Sequence, residues 1–420
     1  MVKRFPMNLI KNFRQLGTSK IRRDALEIVS AGIEAVLPKV SMSRELIVSG
    51  NILKIQNKKW DLSRYKRIFV VGAGKAVAEM AEGLEEILGK RISSGLVIDT
   101  RKKKLSRIEV VEGTHPLTSS INIRATEKII SLLENTGKED LIFCLISGGG
   151  SALMESSRIP LGKLIEVNKL LLKSGATIQE INTIRKHISK VKGGQLVQNT
   201  KATIISLIMS DVITNKLDSI ASGPTVPDTT TIYDAQRIQR KYNLPELPFI
   251  ETPKKHFPNV TNVLLITNVP AAEAMRQKAK ELGYNSKILT TQLSGEAREI
   301  GKKLAILSKK GTAIIATGET TVTIRGKGKG GRNQEVVLSA SMFIKNGVVV
   351  SCSSDGVDFI TEAAGGIVDE NTNEQGKKLG LDQGKFLDNN DSYNFLKKVN
   401  GVIVTGKTHT NVGDLFLVLG

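Results

Sequence analysis

Two cysteines and four histidines in 420 residues, none at zinc-ligand spacing, exclude a structural zinc module. Cys144 and Cys352 lie inside the apolar runs LIFCLIS and VVVSCSS and read as small core residues of a reduced compartment. Aromatic residues make up only 4% of the chain, so a platform for stacking successive bases is poorly supplied. No run of about 18 uninterrupted apolar residues occurs, and no membrane span is expected. The opening MVKRFPMNLIKNFRQ is basic but has no apolar h-region or small-residue cleavage site, so it does not read as a secretory leader. A cytoplasmic protein is expected.

What is abundant is apolar residue (40%), glycine (38 residues) and positive charge, formally +20. The first makes a buried core expected and a disordered chain unexpected. The charge raises nucleic acid as a partner, but the lysines and arginines are spread along the chain, with their densest run at Arg101 to Lys104. A basic surface that draws in a small polyanion needs no further assumption.

In the first half, apolar runs alternate with helical patterns. RIFVV (Arg67 to Val71), GLVID (Gly95 to Asp99), IEVVEG (Ile108 to Gly113), LIFCLI (Leu141 to Ile146) and ATIISLIM (Ala202 to Met209) read as strands. Between the first two, Val77, Met80, Ala81, Leu84, Ile87 and Leu88 fall on one helical face. Strands apolar throughout and separated by helices predict an α/β, Rossmann-like, doubly wound parallel sheet. Four prolines between Tyr242 and Val260 mark a linker, giving a larger domain over 1–245 and a smaller α/β domain over 260–420 with a cleft between them. In the second half TAIIAT and TVTIR read as two strands joined by a short turn. The last strand, DLFLVL, is free to return to the larger domain.

Ligands of open parallel sheets sit where strand ends release into loops. After the first strong strand, Gly72-Ala73-Gly74-Lys75 suggests a dinucleotide turn, with Asp99 as the ribose acceptor. The third glycine of G-x-G-x-x-G is Val77, however, and a lysine in the loop suits a phosphate at a helix N-terminus. Ser147-Gly148-Gly149-Gly150-Ser151 exposes successive amides, an anion-binding concavity. Asp211, in Ser210-Asp211-Val212, is a strand-end carboxylate suited to Mg²⁺ or to a substrate hydroxyl. Arg325 to Glu335 has the G-x-x-x-x-G spacing of a phosphate loop from Gly326 to Gly331, but Arg332-Asn333 replaces the Lys-Ser/Thr of a Walker A motif. Gly330, Gly331 and Arg332 are the candidate phosphate contacts there. Asp355, in Ser354-Asp355-Gly356-Val357-Asp358, is a weaker metal candidate, and Asn182 and Arg185 lie within reach of one ligand on one helix. His115 and His187 are expected to pack or cap rather than to catalyse.

In this order along one chain, VVGAGKA, EGTHP, LISGGGSAL, LLKSGATIQEINTIRKHISKVKGG, MSDV with IASGPTVPD, GETTVTIRGKGKGGRNQE, SSDGVD with AAGGIVD, and TGKTHTNVGDL resemble glycerate 2-kinases that carry a C-terminal MOFRL domain. The resemblance implies ATP- and Mg²⁺-dependent phosphorylation of D-glycerate to 2-phosphoglycerate. By position, Lys75 and Arg332 match that family's essential lysine and arginine. A homodimer is entertained; neither nucleic acid nor membrane is expected as a partner. The chain departs from the family pattern at Ile213-Thr214-Asn215, where P-G-D is usual, at Phe359 and Glu362 in place of glycine and aspartate, and at His409 in place of glycine. Two other readings stay open: an NAD(P)H-dependent hydroxypyruvate reductase and a basic nucleic-acid-binding protein.

Overall fold

A computed structural model describes residues 9–211, 215–360 and 362–420. The chain divides into two compact units, one of residues 38–265 and one that joins residues up to Leu37 to 266–420.

The first unit opens with a small antiparallel sheet, β1 (Leu46–Ser49), β2 (Ile52–Ile55) and β3 (Lys58–Asp61). Its main sheet contains β4 (Arg67–Ala73), β5 (Ser94–Asp99), β6 (Ile108–Glu112), β7 (Asp140–Ile146), β8 (Thr203–Met209) and β9 (Val260–Ile266) in the order β6-β5-β4-β7-β8-β9. The pairs β4–β5, β4–β7, β5–β6 and β7–β8 are parallel. β7 is buried along its whole length, as a central strand covered on both faces must be. The strand order reverses direction between β4 and β7, so the loops that leave these two neighbours part there and open the crevice of a doubly wound sheet.

The second unit holds β10 (Asn285–Glu296), β11 (Thr312–Thr321), β12 (Val348–Ser353), β13 (Gly365–Asp369), β14 (Val402–Ile403) and β15 (Asp414–Leu419), in the order β10-β11-β15-β12-β13-β14. Only β10–β11 is parallel among its pairs. The helix Arg332–Ser341 is buried from Asn333 onward and forms the centre of this unit's core, with Val336, Val337 and Leu338 among Ile314, Val349 and Phe416.

Four expectations change. The helix Lys20–Ala35 belongs to the second unit, where Gly32 lets it approach the helix Asn268–Glu281 so closely that a Cβ there would lie 2.6 Å from Met275 Cγ. The proline-rich segment is not a linker: Leu244 and Leu247 are core residues, Ile250 N donates to His187 O and Asp228 N donates to Pro253 O. Proline there sets turns in packed chain, and the division falls at the last residue of β9. TAIIATGETT is one strand, not half of a hairpin, because Gly318 sits against β10, where a Cβ would lie 2.0 Å from Leu293 O. The last strand lies between β11 and β12 and supplies the antiparallel pairing expected of the hairpin. Cys144 and Cys352 are buried free thiols, as read.

Candidate active site

In the first unit, the glycines after β4 answer to the neighbouring strand. A Cβ on Gly72 would lie 2.0 Å from Leu145 O, and one on Gly74 would lie 2.1 Å from Ser147 Oγ. With φ of 154° and 150°, both are also in backbone territory that side chains rarely enter. The two loops are then laced together: Lys75 N donates to Gly148 O (2.9 Å) and Ala76 N donates to Ser147 Oγ (3.1 Å). Asp99, wholly buried, accepts from Ala78 N (2.9 Å) and Thr100 N (2.6 Å). The N-terminus of the helix Val77–Leu88 is thus already compensated by a carboxylate, and the phosphate seat expected at that helix end is taken. Asp99 is equally unable to serve a ribose.

What remains open lies one strand over. The amides of Gly148 and Gly149 have no acceptor among the described residues. Lys75 is exposed beside them, its Cγ and Cε 3.0 Å from where a Gly149 Cβ would stand, with the His115 ring at 3.1 Å from the same point. Asp211 presses on the other glycine, because a Cβ on Gly148 would meet its Oδ2 at 2.0 Å. Gly74, Lys75, Ser147 to Gly150 and Asp211 are therefore one assembly. Ser151 joins it through Ser222 Oγ (2.6 Å), which in turn donates to Asn182 Oδ1 (3.1 Å). Arg185 stands one helical turn on and is held by Asn168 Oδ1 (2.8 Å). Ser222 lies at a corner where Ala221, Ser222 and Gly223 all have positive φ, fixed by Gly193 N and Gly194 N donating to the carbonyls of Ser222 and Gly223. Of the motif after β8, Val212, Ile213 and Thr214 lie outside the described residues.

Burial, and then the Lys75 ammonium, push the His115 imidazole down to about 4, so it is neutral at pH 7. A folded value below the ordinary 6.5 favours folding above that pH, and this contribution fades as pH falls from 6.5 towards 4. NMR titration is expected to show a midpoint near 4 that rises in Lys75→Ala; an unmoved midpoint would uncouple the two side chains.

In the second unit, a cleft of about 690 Å³ is lined by the Arg325–Gly331 loop, the start of the helix Arg332–Ser341 and the loop after β12. Most of the glycine loop faces chain rather than ligand. Arg325 N (2.7 Å) and Gly326 N (3.0 Å) donate to Asn390 Oδ1, Lys327 N to Asn389 Oδ1 (3.1 Å) and Lys329 N to Asp391 Oδ1 (2.8 Å). The glycines permit this approach, since a Cβ on Gly326, Gly328 or Gly330 would come within 2.4 Å of Asn389, Asp391 or Ser392. The helix end is again capped by a buried aspartate: Asp358 accepts from Asn333 N (3.1 Å) and Gln334 N (2.9 Å). The amides of Gly330, Gly331 and Arg332 are left without an acceptor among the described residues.

The Arg332 guanidinium pairs with Glu319 on β11 and, through Nη2 (3.0 Å) and Nε (2.7 Å), with Asp414 on β15. Burial works against its charge, but Asp414 and Glu319 outweigh burial and hold its proton more tightly than usual. Burial likewise pushes the Asp414 carboxyl up, to about 7, against the pull of Arg332 and the Asn333 amide. Asp355 closes a turn, with Oδ1 accepting from Ser353 Oγ (2.7 Å) and Val357 N (2.9 Å). No group of three or more candidate metal ligands occurs among the described residues. Mg²⁺ commonly uses one or two carboxylates plus water and phosphate oxygens, which an Asp211 or an Asp355 supplies.

The family described as "Domain of unknown function (DUF4147)" matches residues 24–250, and the MOFRL family matches residues 312–414. Glycerate 2-kinase from Pyrococcus horikoshii is 40% identical, covering 95% of this chain and 97% of its own. The crystal structure of a glycerate kinase from Thermotoga maritima superposes with a TM-score of 0.86 at 37% identity, covering 94% of this chain and 98% of its own. The chain belongs to the glycerate 2-kinase family. A protein from Agrobacterium vitis named as a hydroxypyruvate reductase is also similar, 37% identical over 84% of this chain and 87% of its own.

Within this member of the glycerate 2-kinase family, motif reading gave no role to Asp414, Glu319 or the Asn389-Asn390-Asp391 corner, and Asp358, read with Asp355 as a possible ion ligand or turn, caps a helix instead. The Asn389-Asn390-Asp391 corner had a visible signal, because three consecutive Asn/Asp residues form turns that accept backbone hydrogen bonds. Asp414 lay inside the quoted TGKTHTNVGDL, yet its own neighbours gave no hint of a role, since it reads as the first residue of an apolar strand.

Proposed function

We propose that this protein transfers the γ-phosphate of ATP to the C2 hydroxyl of D-glycerate, giving ADP and 2-phosphoglycerate. The observation that carries this reading is the Gly148–Gly149 amide pair without acceptors, set beside the exposed Lys75 and the Asp211 carboxylate at the reversal of strand order. Relatives named glycerate 2-kinase, similar over nearly the whole chain, support the acceptor.

The glycerate oxygen forms a bond to the γ-phosphorus as the bond from that phosphorus to the β,γ-bridging oxygen breaks, and ADP leaves with the electron pair. Such transfers pass through a loose transition state, so positioning and charge stabilisation are the main tasks of the protein. Lys75 and the Gly148 and Gly149 amides hold the transferring group. Asp211 orients the hydroxyl and receives its proton, and Asn182 and Arg185 bind the acceptor. Arg332 stabilises developing negative charge, with the Gly330 and Gly331 amides beside it. Mg²⁺, held by Asp211 or Asp355, would neutralise phosphate charge when bound. The reaction needs neither nucleic acid nor membrane, and we place it in the cytoplasm.

The reductase reading is disfavoured by Asp99, whose carboxylate is committed to Ala78 N and Thr100 N. The test is to incubate the protein with ATP, Mg²⁺ and D-glycerate and to identify the product by ³¹P and ¹³C NMR. The phosphorus-coupled carbon should be C2. Coupling at C3 would correct the regiochemistry, and oxidation of NADH by hydroxypyruvate without any phosphoryl transfer would overturn the assignment.

A further inference from the structure

The second unit's cleft carries apolar surface that neither phosphate nor glycerate explains. Phe359 is 84% exposed and Ile324 is 76% exposed, and both line this cleft from different loops. Phe359 also has φ of 65°, a left-handed backbone that a bulky side chain strongly disfavours. Strain of this kind persists where a side chain must be presented to a ligand. Polar groups in the same cleft await partners too. Thr320 is 2% exposed and its Oγ1 has no hydrogen-bond partner among the described residues. Glu335, equally buried, has Asn390 Nδ2 on one oxygen (3.0 Å), while its other oxygen has only Arg298 Nε, at 3.6 Å. A cavity of about 690 Å³ is of a size for a nucleotide and far exceeds a three-carbon acid.

We propose that this cleft seats the purine ring of the phosphoryl donor against Phe359 and Ile324, with the phosphate chain running to the Gly330, Gly331 and Arg332 amides. The inference rests on the ATP-dependent reading above and adds where the base is held. An aromatic face and a flat aliphatic wall stack on any purine, and Thr320 and Glu335 border them.

The test separates base from phosphate. ATP and inorganic tripolyphosphate are titrated calorimetrically into the wild-type protein and into Phe359→Gly. Glycine removes the ring and relieves the left-handed backbone, so the variant should fold at least as well, which a thermal melt checks. ATP binding is expected to weaken about tenfold, on the order of one stacked base, while tripolyphosphate binding stays within twofold. The KM for ATP rises in step, and that for glycerate does not. ATP affinity within twofold of wild type, or an equal loss for tripolyphosphate, would overturn the proposal. So would a wild-type protein that binds tripolyphosphate as tightly as ATP. A second variant, Phe359→Trp, adds a reporter to a chain whose natural tryptophan is Trp60 alone. ATP should quench the new emission and tripolyphosphate should not; no response to ATP would also reject the site. Should the protein phosphorylate no hydroxy acid, the kinase reading fails, yet the difference between ATP and tripolyphosphate still decides what the cleft holds.

Discussion

Arg332→Ala is expected to lower kcat about 10³-fold or more and to lower the melting temperature as well. The first effect follows from the proposed role of this planar cation in stabilising developing negative charge. The second follows from its neighbours. Asp414 is fully buried and Arg332 is its cationic partner, so truncation strands a carboxylate in the core beside the buried Asp358. Breaking a buried pair on one side typically costs about 3–5 kcal/mol. Because the two effects have different causes, a second substitution separates them. Arg332→Ala with Asp414→Asn removes the stranded charge and should restore most of the melting temperature while leaving kcat low. Arg332→Lys should rescue poorly, since an ammonium cannot bridge Glu319 and both Asp414 oxygens. If the stabilised double variant worked within about tenfold of wild type, Arg332 would be a structural residue and no more.

Lys75→Ala should behave in the opposite way on stability. Its side chain is exposed and makes no ion pair with another described residue, so the melting temperature should stay within about 1 °C. Yet kcat should fall about 10²- to 10³-fold, the usual loss when one preorganised electrostatic contact to a transition state is removed. Steady-state kinetics beside a thermal melt distinguishes the cases. A large drop in stability would mean that Lys75 holds the Gly148–Gly149 loop in place, and activity within tenfold would free it from the mechanism. Lysine and arginine thus make a contrasting pair: one is a bare charge on a rigid loop, the other a charge built into a core.

Both residues were legible in the sequence because glycine and a cation at the end of an apolar run have a local meaning. A strand must stop, turn and release its neighbouring helix, and for Lys75 that loop lies at the carboxyl edge of a parallel sheet. The purpose of each glycine was less legible. Gly318 looked like a turn and is a point of close approach inside a strand. Gly326 and Gly328 looked like a phosphate cradle and instead make room for Asn389, Asn390 and Asp391, more than sixty residues along the chain. The same residue type serves both needs, since each asks only that a Cβ be missing.

The order of most elements, the apolar faces and the family were determined by sequence alone, because hydrophobic periodicity and strand-end chemistry are written in neighbouring residues. Only tertiary structure decided which anionic partner each exposed amide and each cation would meet. Asp99 and Asp358 reach the helix ends from another strand or loop, and Asp414 meets Arg332 across 82 positions of chain. Electrostatic pairing depends on distance in space, and chain separation carries no record of it.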